Sequence, residues 1–279
     1  TAELSLRSHN AAFCRSCYLL FFRRQVEKAI AAHKMFNKND RILVAVSGGK
    51  DSLALWDVLI HLGYETEGLY LALGIEDYST HSQEKAQEFA KHNSVNLRIV
   101  TVEGDAYSVP FAAKYTRRSA CAACGSFKRH YFDKSAYEGN FNALATGHNL
   151  DDEAARLMSN VLHWDMEYLS RQKPVLEPSH KKYVRKVRPL YRQSELETAA
   201  YAFFRGIDYI IDECPNSTGA SQIFYKETLN RIDAAMPGSK RHFVQKFVRE
   251  AQPLFESSHE GGPPRECERC GMPSYAIVC

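Results

Sequence analysis

The apolar residues of this sequence fall into two recurring patterns, which predict two kinds of secondary structure. Short, nearly continuous apolar runs are typical of strands that are buried on both faces of a parallel sheet. These runs are Arg41–Val46, Gly68–Leu73, Leu97–Val102 and Phe141–Ala145. Longer stretches with apolar residues three or four positions apart predict amphipathic helices. They are Arg15–Phe36, Asp51–Leu62, Ser79–His92 and Cys121–Tyr137. The alternation predicts an α/β fold, a parallel sheet with right-handed crossovers and helices on both faces.

The last third of the chain has a different pattern, in which helices follow one another without intervening strands. The predicted helices are Gln193–Arg205, Gln222–Ala235 and Lys240–Phe255, and a Gly/Pro-rich linker follows at Glu256–Pro264. We therefore expect three parts. They are an N-terminal segment (residues 1–36), a main domain (residues 37–258, helical from about residue 193) and a C-terminal segment (residues 259–279).

Composition and charge exclude several classes of protein without identifying a partner. The 279 residues are 44% hydrophobic and 25% charged, which excludes a disordered or fibrous chain. The 36 Lys and Arg against 33 Asp and Glu give a net charge of +3, too mild to indicate a nucleic-acid partner alone. No run approaches the roughly 18 to 20 apolar residues of a membrane span, and no secretory signal is apparent. We expect a cytoplasmic protein with no membrane partner.

The segment Ser47–Ser52 joins a predicted strand to a predicted helix and is the most informative local motif. Its adjacent glycines let backbone amides approach an oxyanion closely, and the dipole of the following helix adds positive potential. The spacing differs from the phosphate loop of the common NTPases. It matches S-G-G-x-D-S, the PP-loop of enzymes that split ATP between the α and β phosphates. The predicted nucleotide site comprises Ala45, Ser47, Gly48, Gly49, Lys50, Asp51 and Ser52, with Asp51 also a candidate to orient Mg²⁺.

A second motif places two cysteines, Cys121 and Cys124, at the start of a predicted helix that is rich in Lys and Arg. We expect lowered thiol pKa values there, because a helix N-terminus and nearby cations favour the thiolate. Cys214 follows a short apolar stretch, and α/β topology can bring it to the same edge of the sheet. Three thiolates at one edge suit either a [4Fe-4S] cluster with one open iron or a persulfide and disulfide relay.

A third motif, Thr146–Glu153, follows the strand Phe141–Ala145 and opens another helix. Acidic residues at a helix start are common as caps. A glycine turn at the carboxyl end of a strand is also where doubly wound sheets bind ligands. We therefore expect Gly147 beside the nucleotide and either Asp151 or Asp152 near Mg²⁺ or a substrate group.

Cysteine pairs in C-x-x-C spacing also occur near both ends of the sequence. Such pairs in a cytosolic chain indicate metal or redox chemistry rather than structural disulfides. The candidate zinc ligands are Cys14, Cys17, Cys267, Cys270 and Cys279. Tetrahedral zinc needs four ligands, so each end supplies part of a zinc finger. We expect the completing pairs to lie just outside the sequence given.

Basic residues cluster most densely at Lys181–Arg188, where Tyr183 interrupts them. That mixture of cations and an aromatic ring suits contact with a polyphosphate backbone. A solvated loop is the more common explanation of any single cluster.

The ordered set of motifs resembles the TtuA branch of the tRNA 2-thiouridine synthetase family. The resemblance rests on Ser47–Ser52, Cys121 and Cys124 with Lys128, Thr146–Asp152, Glu213–Asn216 and the terminal cysteines. It implies a homodimeric PP-loop domain flanked by two zinc fingers. It also implies that ATP adenylates the C2 oxygen of a tRNA uridine, the T-loop 5-methyluridine, and that sulfur then replaces AMP.

Residue roles follow from the same resemblance. It implies that Cys121, Cys124 and Cys214 hold a [4Fe-4S] cluster and that Lys128 and Asp152 form a catalytic pair at the nucleotide. Cys121 and Cys214 would then share in catalysis. The implied sulfur donor is a ubiquitin-like carrier protein with a C-terminal thiocarboxylate. Two positions depart from the family pattern. Cys17 replaces a usual His, and Glu76 replaces the second Gly of a G-I-G turn near the nucleotide.

Two other kinds of function also fit parts of the sequence. One is a different PP-loop adenylating enzyme, either a thiolase of wobble uridine or cytidine or an amide-forming ligase. The internal cysteines disfavour the ligase, because amidation has no use for them. The other is a zinc-ribbon RNA-binding module with an inactive nucleotide site, which the intact Lys50, Asp51, Lys128 and Asp152 disfavour.

Overall fold

The computed structural model describes residues 2–102, 109–116, 119–212, 214–217, 221–258 and 264–277. Its strands, in chain order, are β1 (Leu4–Leu6), β2 (Ala11–Phe13), β3 (Arg41–Val46), β4 (Glu65–Ala72), β5 (Leu97–Thr101), β6 (Ala143–Thr146), β7 (Val175–Leu176), β8 (Arg185–Val187), β9 (Arg265–Glu266) and β10 (Pro273–Ser274). Its helices are α1 (Arg15–Ala32), α2 (Lys50–His61), α3 (Glu76–His92), α4 (Val109–Thr116), α5 (Ala120–Glu138), α6 (Leu150–His163), α7 (Met166–Arg171), α8 (Glu195–Arg205), α9 (Ser221–Ala235) and α10 (Ser239–Lys246).

A central sheet organises the main domain, and its described strands follow the order β5-β4-β3-β6-β8-β7. The pairs from β5 to β8 are parallel, as predicted, whereas β7 pairs antiparallel with β8 at the edge. The register places Ala45 of β3 opposite Leu69 of β4 and Thr146 of β6. The ends of β3 and β6 therefore lie side by side.

Successive residues of β3 point to opposite faces of the sheet and into two separate apolar clusters. Ile42, Val44 and Val46 belong to the larger cluster, which also receives buried residues of α1, α2, α6 and α8. Leu43 belongs to the other, together with buried residues of α4 and α5. Helices therefore cover both faces, which confirms the predicted fold class.

The helical part beyond α8 ends in less regular turns. α10 continues as a π-helix over Phe247–Ala251 and a 3₁₀-helix over Gln252–Ser258. The periodicity predicted one helix over Lys240–Phe255. The segment is helical, as predicted, but it changes from an α-helix to a π-helix and then to a 3₁₀-helix. No helix among the described residues is both long and apolar enough to cross a bilayer.

Two small hairpins lie near the ends of the chain, and hydrophobic patterning predicted neither of them. β1 pairs with β2 just before α1, and β9 pairs with β10 around the turn that carries Cys267 and Cys270. Strands of two or three residues contain too few apolar positions for a period to be detected. For the same reason β8 lies unpredicted inside the basic segment Lys181–Arg188.

Candidate active site

The site lies where the carboxyl ends of β3 and β6 meet. From β3 the chain moves outward through β4 to β5, whereas β6 lies on the other side of β3. Such a reversal of strand order opens a crevice at the edge of the sheet and is the usual ligand site of doubly wound folds. The PP-loop follows β3 and the Thr146–Glu153 motif follows β6. The topology therefore brings the two motifs together.

The PP-loop holds itself in shape through a small set of hydrogen bonds. Ser52 Oγ accepts from the Ser47 backbone amide at 3.1 Å and donates to the Gly49 carbonyl at 2.9 Å. Gly48 has φ +74°, and a Cβ there would lie 2.2 Å from the Ser82 carbonyl oxygen. Its carbonyl accepts from the Ile210 amide at 3.0 Å. Only glycine fits this position, because any side chain would collide with the Ser82 backbone. The loop leads directly into α2, and the first backbone amides of a helix can bind an anion.

A cavity of about 340 Å³ opens directly on this loop. Residues predicted from three separate motifs line it. These are Ala45, Ser47, Asp51, Ser52, Lys128, Gly147, Asp152 and Cys214. Tyr78 and Phe132 add aromatic walls. The structure therefore brings the PP-loop, the proposed catalytic pair and one predicted cluster ligand into one space.

The helix α5 presents the second motif along a single face. Cys121, Cys124 and Lys128 are three and four residues apart, which is the spacing of neighbours on one side of a helix. Cys121 Sγ donates to the Asn216 carbonyl at 2.9 Å, in the turn just after Cys214. Cys124 lies within electrostatic range of both other thiols. The three cysteines are thus neighbours, although only Cys214 lines the cavity.

The predicted lowering of thiol pKa is wrong for Cys124. Burial raises the pKa of the Cys124 thiol, and this effect outweighs the opposing influence of the Lys128 ammonium, which hydrogen-bonds the thiol. The sequence indicated the nearby cation but not the depth of burial. Two further cations that precede this helix in the sequence, Arg117 and Arg118, lie outside the described residues.

A [4Fe-4S] cluster requires a different arrangement of thiols from a single metal ion. In the described part of the chain, no three His, Cys, Asp or Glu side chains converge on one point as ligands of a single ion do. Cluster ligands differ in this respect, because each cysteine binds a different iron. Neighbouring thiols on α5 and on the turn at Cys214, none in a disulfide, fit that requirement.

The two aspartates that the sequence left open have different environments. Asp151 is 3% exposed, accepts from Lys240 Nζ at 2.6 Å and accepts from the Glu195 amide at 2.8 Å. Both of its oxygens are therefore engaged in joining α6 to α8 and α10. Asp152 lines the cavity, and its Oδ2 accepts from the Asn149 amide at 3.0 Å in a capping box. Asp152, whose side chain is 25% exposed, is therefore the aspartate that faces the cavity.

Charged partners from the helical part of the domain complete the site, and sequence reasoning missed them. Lys50 Nζ lies 2.7 Å from Glu195 Oε1 and 3.0 Å from Asp51 Oδ2. Lys226 Nζ lies 2.6 Å from Asp152 Oδ1. Glu195 and Lys226 belong to no local motif. Their only sequence signal is a charge placed on an otherwise amphipathic helix, which is too common to be informative.

His148 lines the same cavity but as a neutral group. Burial, reinforced by the positive charges of Arg156 and Arg188, lowers its pKa to about 4. Its Nδ1 lies 2.8 Å from Thr146 Oγ1. A neutral imidazole held by this hydrogen bond suits a structural role.

The terminal cysteines lie close to the two hairpins, and none of those described lines the cavity. Cys14 caps α1 and Cys17 lies in its first turn. Cys267 and Cys270 occupy a turn closed by the Gly271 amide, which donates to the Cys267 carbonyl at 2.8 Å. Cys279 and Glu213 lie outside the described residues, as does the side chain of Glu76. Zinc binding at both ends therefore stays a prediction.

The basic segment Lys181–Arg188 is largely engaged within the protein. Lys182 Nζ donates to the Gly271 carbonyl at 2.7 Å and to Glu266 at 2.8 Å. Lys186 pairs with Asp133, Arg185 with Glu177, and Arg188 with Glu153. Neither the solvated loop nor the nucleic-acid contact describes the whole segment. Much of its charge fixes the C-terminal hairpin and the edge of the sheet.

Comparison with known proteins places this site in a family. Residues 20–225 match the PP-loop domain family. A tRNA-5-methyluridine(54) 2-sulfurtransferase from Thermus thermophilus is 46% identical over 279 residues, which cover 100% of this chain and 86% of the relative. One from Pyrococcus horikoshii is 41% identical over 95% of this chain and 85% of the relative. The chain belongs to the family of tRNA-5-methyluridine(54) 2-sulfurtransferases.

A solved structure extends the likeness to the three-dimensional fold of this sulfurtransferase family. The U34-tRNA thiolase NcsA from Methanococcus maripaludis, solved with its [4Fe-4S] cluster, has a TM-score of 0.83 and 25% identity to this chain. The match covers 100% of this chain and 90% of NcsA. The family resemblance predicted from the sequence is confirmed, and so is the expectation of a sulfur-transferring enzyme with a PP-loop.

Proposed function

We propose that this sulfurtransferase uses ATP to replace the C2 oxygen of a tRNA uridine with sulfur, the T-loop 5-methyluridine being its target. The observation that carries the proposal is the single cavity shared by the PP-loop, Lys128, Asp152 and Cys214. Nucleotide activation and sulfur delivery need to act on the same carbon atom, so their residues have to share one space.

The PP-loop would bind the phosphates of ATP. Ser47, Asp51 and Ser52 line the cavity at the start of α2, where backbone amides of a helix N-terminus can donate to an anion, and Lys50 supplies positive charge. Asp51 offers a carboxylate oxygen, the ligand type that Mg²⁺ prefers. Burial raises the pKa of Asp51, and the adjacent Lys50 opposes that rise. A bound Mg²⁺ would favour its ionised form further.

Lys128 and Asp152 would serve the adenylation step. The uridine C2 oxygen attacks the α phosphate, a new P–O bond forms, and pyrophosphate leaves with the electrons of the broken P–O bond. Lys128 can stabilise negative charge that develops on the α phosphate. Burial favours the neutral form of Asp152, but Lys226 and the Asn149 amide are among the groups that together lower its pKa, so the carboxylate is ionised. A fixed carboxylate at this position can orient the uridine or its N3 proton.

Cys121, Cys124 and Cys214 would hold the cluster at the mouth of this cavity. When bound, a [4Fe-4S] cluster with one open iron can hold sulfide for delivery. Sulfide then adds to C2, the C2–O bond breaks, and AMP leaves with the former uridine oxygen. Oxygen is exchanged for sulfur without net oxidation or reduction, so the chain needs no electron donor for this step.

The remaining expectations belong to the same proposal. Cys14, Cys17, Cys267, Cys270 and Cys279 would contribute to two structural zinc sites. The partners would be a second copy of the chain and a ubiquitin-like carrier with a C-terminal thiocarboxylate, and the reaction would take place in the cytoplasm. The hairpin geometry around Cys267 and Cys270 supports the zinc proposal, because C-x-x-C turns followed by Gly suit a knuckle of tetrahedral zinc.

The decisive experiment supplies all reactants to the protein after anaerobic reconstitution. Unmodified tRNA, ATP, Mg²⁺ and sulfide are added, the tRNA is digested, and its nucleosides are measured by mass spectrometry. We expect a 2-thio-5-methyluridine or 2-thiouridine peak that requires ATP. Cys214→Ala should abolish this peak while ATP binding is retained, and Lys128→Ala should abolish pyrophosphate release. Full thiolation by Cys214→Ala would overturn the cluster assignment.

A wobble-uridine thiolase is the second candidate, because the NcsA match covers the whole chain at a TM-score of 0.83. The higher identity to the 5-methyluridine(54) enzymes, 46% against 25%, favours the T loop. The two candidates are distinguished by digesting the tRNA with RNase and locating the thionucleoside in either the T-loop fragment or the anticodon fragment. Sulfur in the anticodon fragment alone would establish the wobble function.

A further inference from the structure

Lys226 stands out among the charged residues around the cavity because no motif accounts for it. It lies on α9, one residue beyond the segment 20–225 that matches the PP-loop domain family. Its Nζ is nevertheless 2.6 Å from Asp152 Oδ1, the carboxylate to which the proposed function assigns a catalytic role. The part of α9 that extends beyond the matched segment therefore contacts a residue of the proposed site.

Two contacts, one on each oxygen, hold the Asp152 carboxylate in a single orientation. Oδ2 of Asp152 accepts from the Asn149 amide at 3.0 Å, and Oδ1 faces Lys226. With one oxygen held by the capping box and the other by an ammonium group, the plane of the carboxylate is defined. Removing the ammonium would leave Oδ1 without its charged partner and free the χ2 torsion of Asp152.

A second set of contacts connects Lys226 to the PP-loop. Its Nζ is 3.6 Å from Glu195 Oε2, and Glu195 Oε1 is 2.7 Å from Lys50 Nζ. Lys50 in turn lies 3.0 Å from Asp51 Oδ2. Five alternating charges thus run from Asp51 to Asp152 around the nucleotide cavity. Three carboxylates and two ammonium groups leave one net negative charge, and carboxylate oxygens are the ligand type that Mg²⁺ prefers.

The electrostatic environment favours the charged form of each member of the Glu195–Lys226–Asp152 set. Burial opposes the charge on Lys226, but Asp152, Glu195 and Asp151 together raise the pKa of the ammonium. Burial likewise opposes ionisation of Glu195, but Lys50 and Lys226 lower its pKa. The side chains are 25% to 40% exposed, so substrate can still reach them.

We propose that Lys226 is a positioning residue, which holds Asp152 in the orientation that adenylation requires and, through Glu195, aligns it with Lys50 of the PP-loop. The inference rests on the proposed function, since it deepens the role of Asp152. Lys226 acts through Asp152 and does not bind the phosphates itself.

The test measures nucleotide binding and adenylation separately, neither of which depends on sulfur delivery. ATP affinity is measured by titration without tRNA, and kcat and KM are measured from pyrophosphate release with unmodified tRNA. For Lys226→Met we expect kcat to fall by about tenfold to a hundredfold, because small misplacements of a reacting group have effects of that size. The Kd for ATP should change by less than about threefold, under 0.7 kcal/mol. Lys226→Arg should recover much of kcat.

A double variant separates a positioning role from a direct one. If Lys226 acts through Asp152, then Lys226→Met should have almost no further effect on kcat in an Asp152→Asn background. Independent, multiplying effects of the two substitutions would overturn the proposal. A loss of ATP affinity in Lys226→Met with unchanged kcat would also overturn it, because the ammonium would then be a phosphate ligand.

Controls distinguish this inference from folding defects and from failure of the proposed function. Lys246→Met removes an exposed lysine of α10 that pairs with Glu250 at 2.9 Å, and its kcat should stay unchanged. Thermal unfolding identifies any misfolded variant, in which case Lys226→Gln replaces Lys226→Met. Wild-type protein that releases no pyrophosphate with tRNA would refute the function itself. Active wild type with an equally active Lys226→Met would refute only the positioning role.

Discussion

Gly147 packs directly against Ser52, so that a Cβ atom placed on Gly147 would lie 2.9 Å from the Ser52 backbone nitrogen. The same Cβ would lie 3.0 Å from the Asp51 carbonyl carbon. Both neighbours are backbone atoms of the first turn of α2, which cannot rotate away as a side chain can. The turn after β6 therefore sets the position of the phosphate-binding amides.

Gly147→Ala should weaken ATP binding while the fold is retained. The added methyl group forces the first turn of α2 to shift, and losing one or two hydrogen bonds to phosphate corresponds to about a tenfold higher Kd. The measurement is ATP titration by calorimetry. Gly125→Ala is the matched control, because its Cβ would meet only the flexible end of Arg129, at 3.3 Å. Equal affinities of the two variants would contradict this reading of the turn.

Lys240→Met should strongly destabilise the protein. It leaves the Asp151 carboxylate buried without its ammonium partner, and such losses are about 3 to 5 kcal/mol in the free energy of unfolding. Lys85→Met removes an ion pair of similar length, 2.7 Å, with the 72%-exposed Asp208, and should change stability by less than about 1 kcal/mol. Denaturant unfolding of both variants at neutral pH tests the difference. Similar changes in the free energy of unfolding would mean that water reaches the Asp151 carboxylate in Lys240→Met.

Protein stability should fall as the pH decreases from about 6.5 toward 4, in part through His148. Its folded-state pKa is lowered to about 4, so between these values the unfolded chain binds a proton that the folded protein does not. One pKa unit corresponds to about 1.4 kcal/mol, so the loss is of the order of 3 kcal/mol. Denaturant unfolding at several pH values should give a flatter profile for His148→Gln. The exposed His163→Gln should keep the wild-type slope.

Lys182→Ala should loosen the C-terminal hairpin from the main domain. Lys182 Nζ donates to the Gly271 carbonyl and to Glu266, and Tyr183 Oη donates to the Pro273 carbonyl at 3.1 Å. Without the lysine we expect hydrogen exchange at the Cys267 and Gly271 amides to accelerate by about tenfold, the equivalent of one net hydrogen bond. Lys181→Ala is the control, because that side chain is 76% exposed and its 3.4 Å ion pair with Glu266 should contribute little. Equal hydrogen-exchange protection in the two variants would mean that contacts other than those of Lys182 hold the C-terminal hairpin against the main domain.

Much of the fold could be predicted because its signals are local. The buried strand β3 has the predicted bounds, and α2, α5 and α9 begin within one residue of the predicted starts. Ser47–Ser52 carries its chemistry in consecutive residues, so spacing alone identified a phosphate loop. Strands of two or three residues, such as β7 and β8, were missed because sheet pairing, not hydrophobic periodicity, stabilises them.

The candidate site likewise has features that the sequence predicts and features that it does not. The sequence by itself determined which residue types are present, the order of the motifs, and hence the family to which the chain belongs. Only the tertiary structure decided that Asp152 rather than Asp151 faces the cavity. It decided that Lys226 pairs with Asp152 and Glu195 with Lys50. It also decided that burial outweighs Lys128 in raising the pKa of Cys124. These properties depend on distances and on the exclusion of water between residues far apart in the chain, and neither quantity is encoded in local spacing.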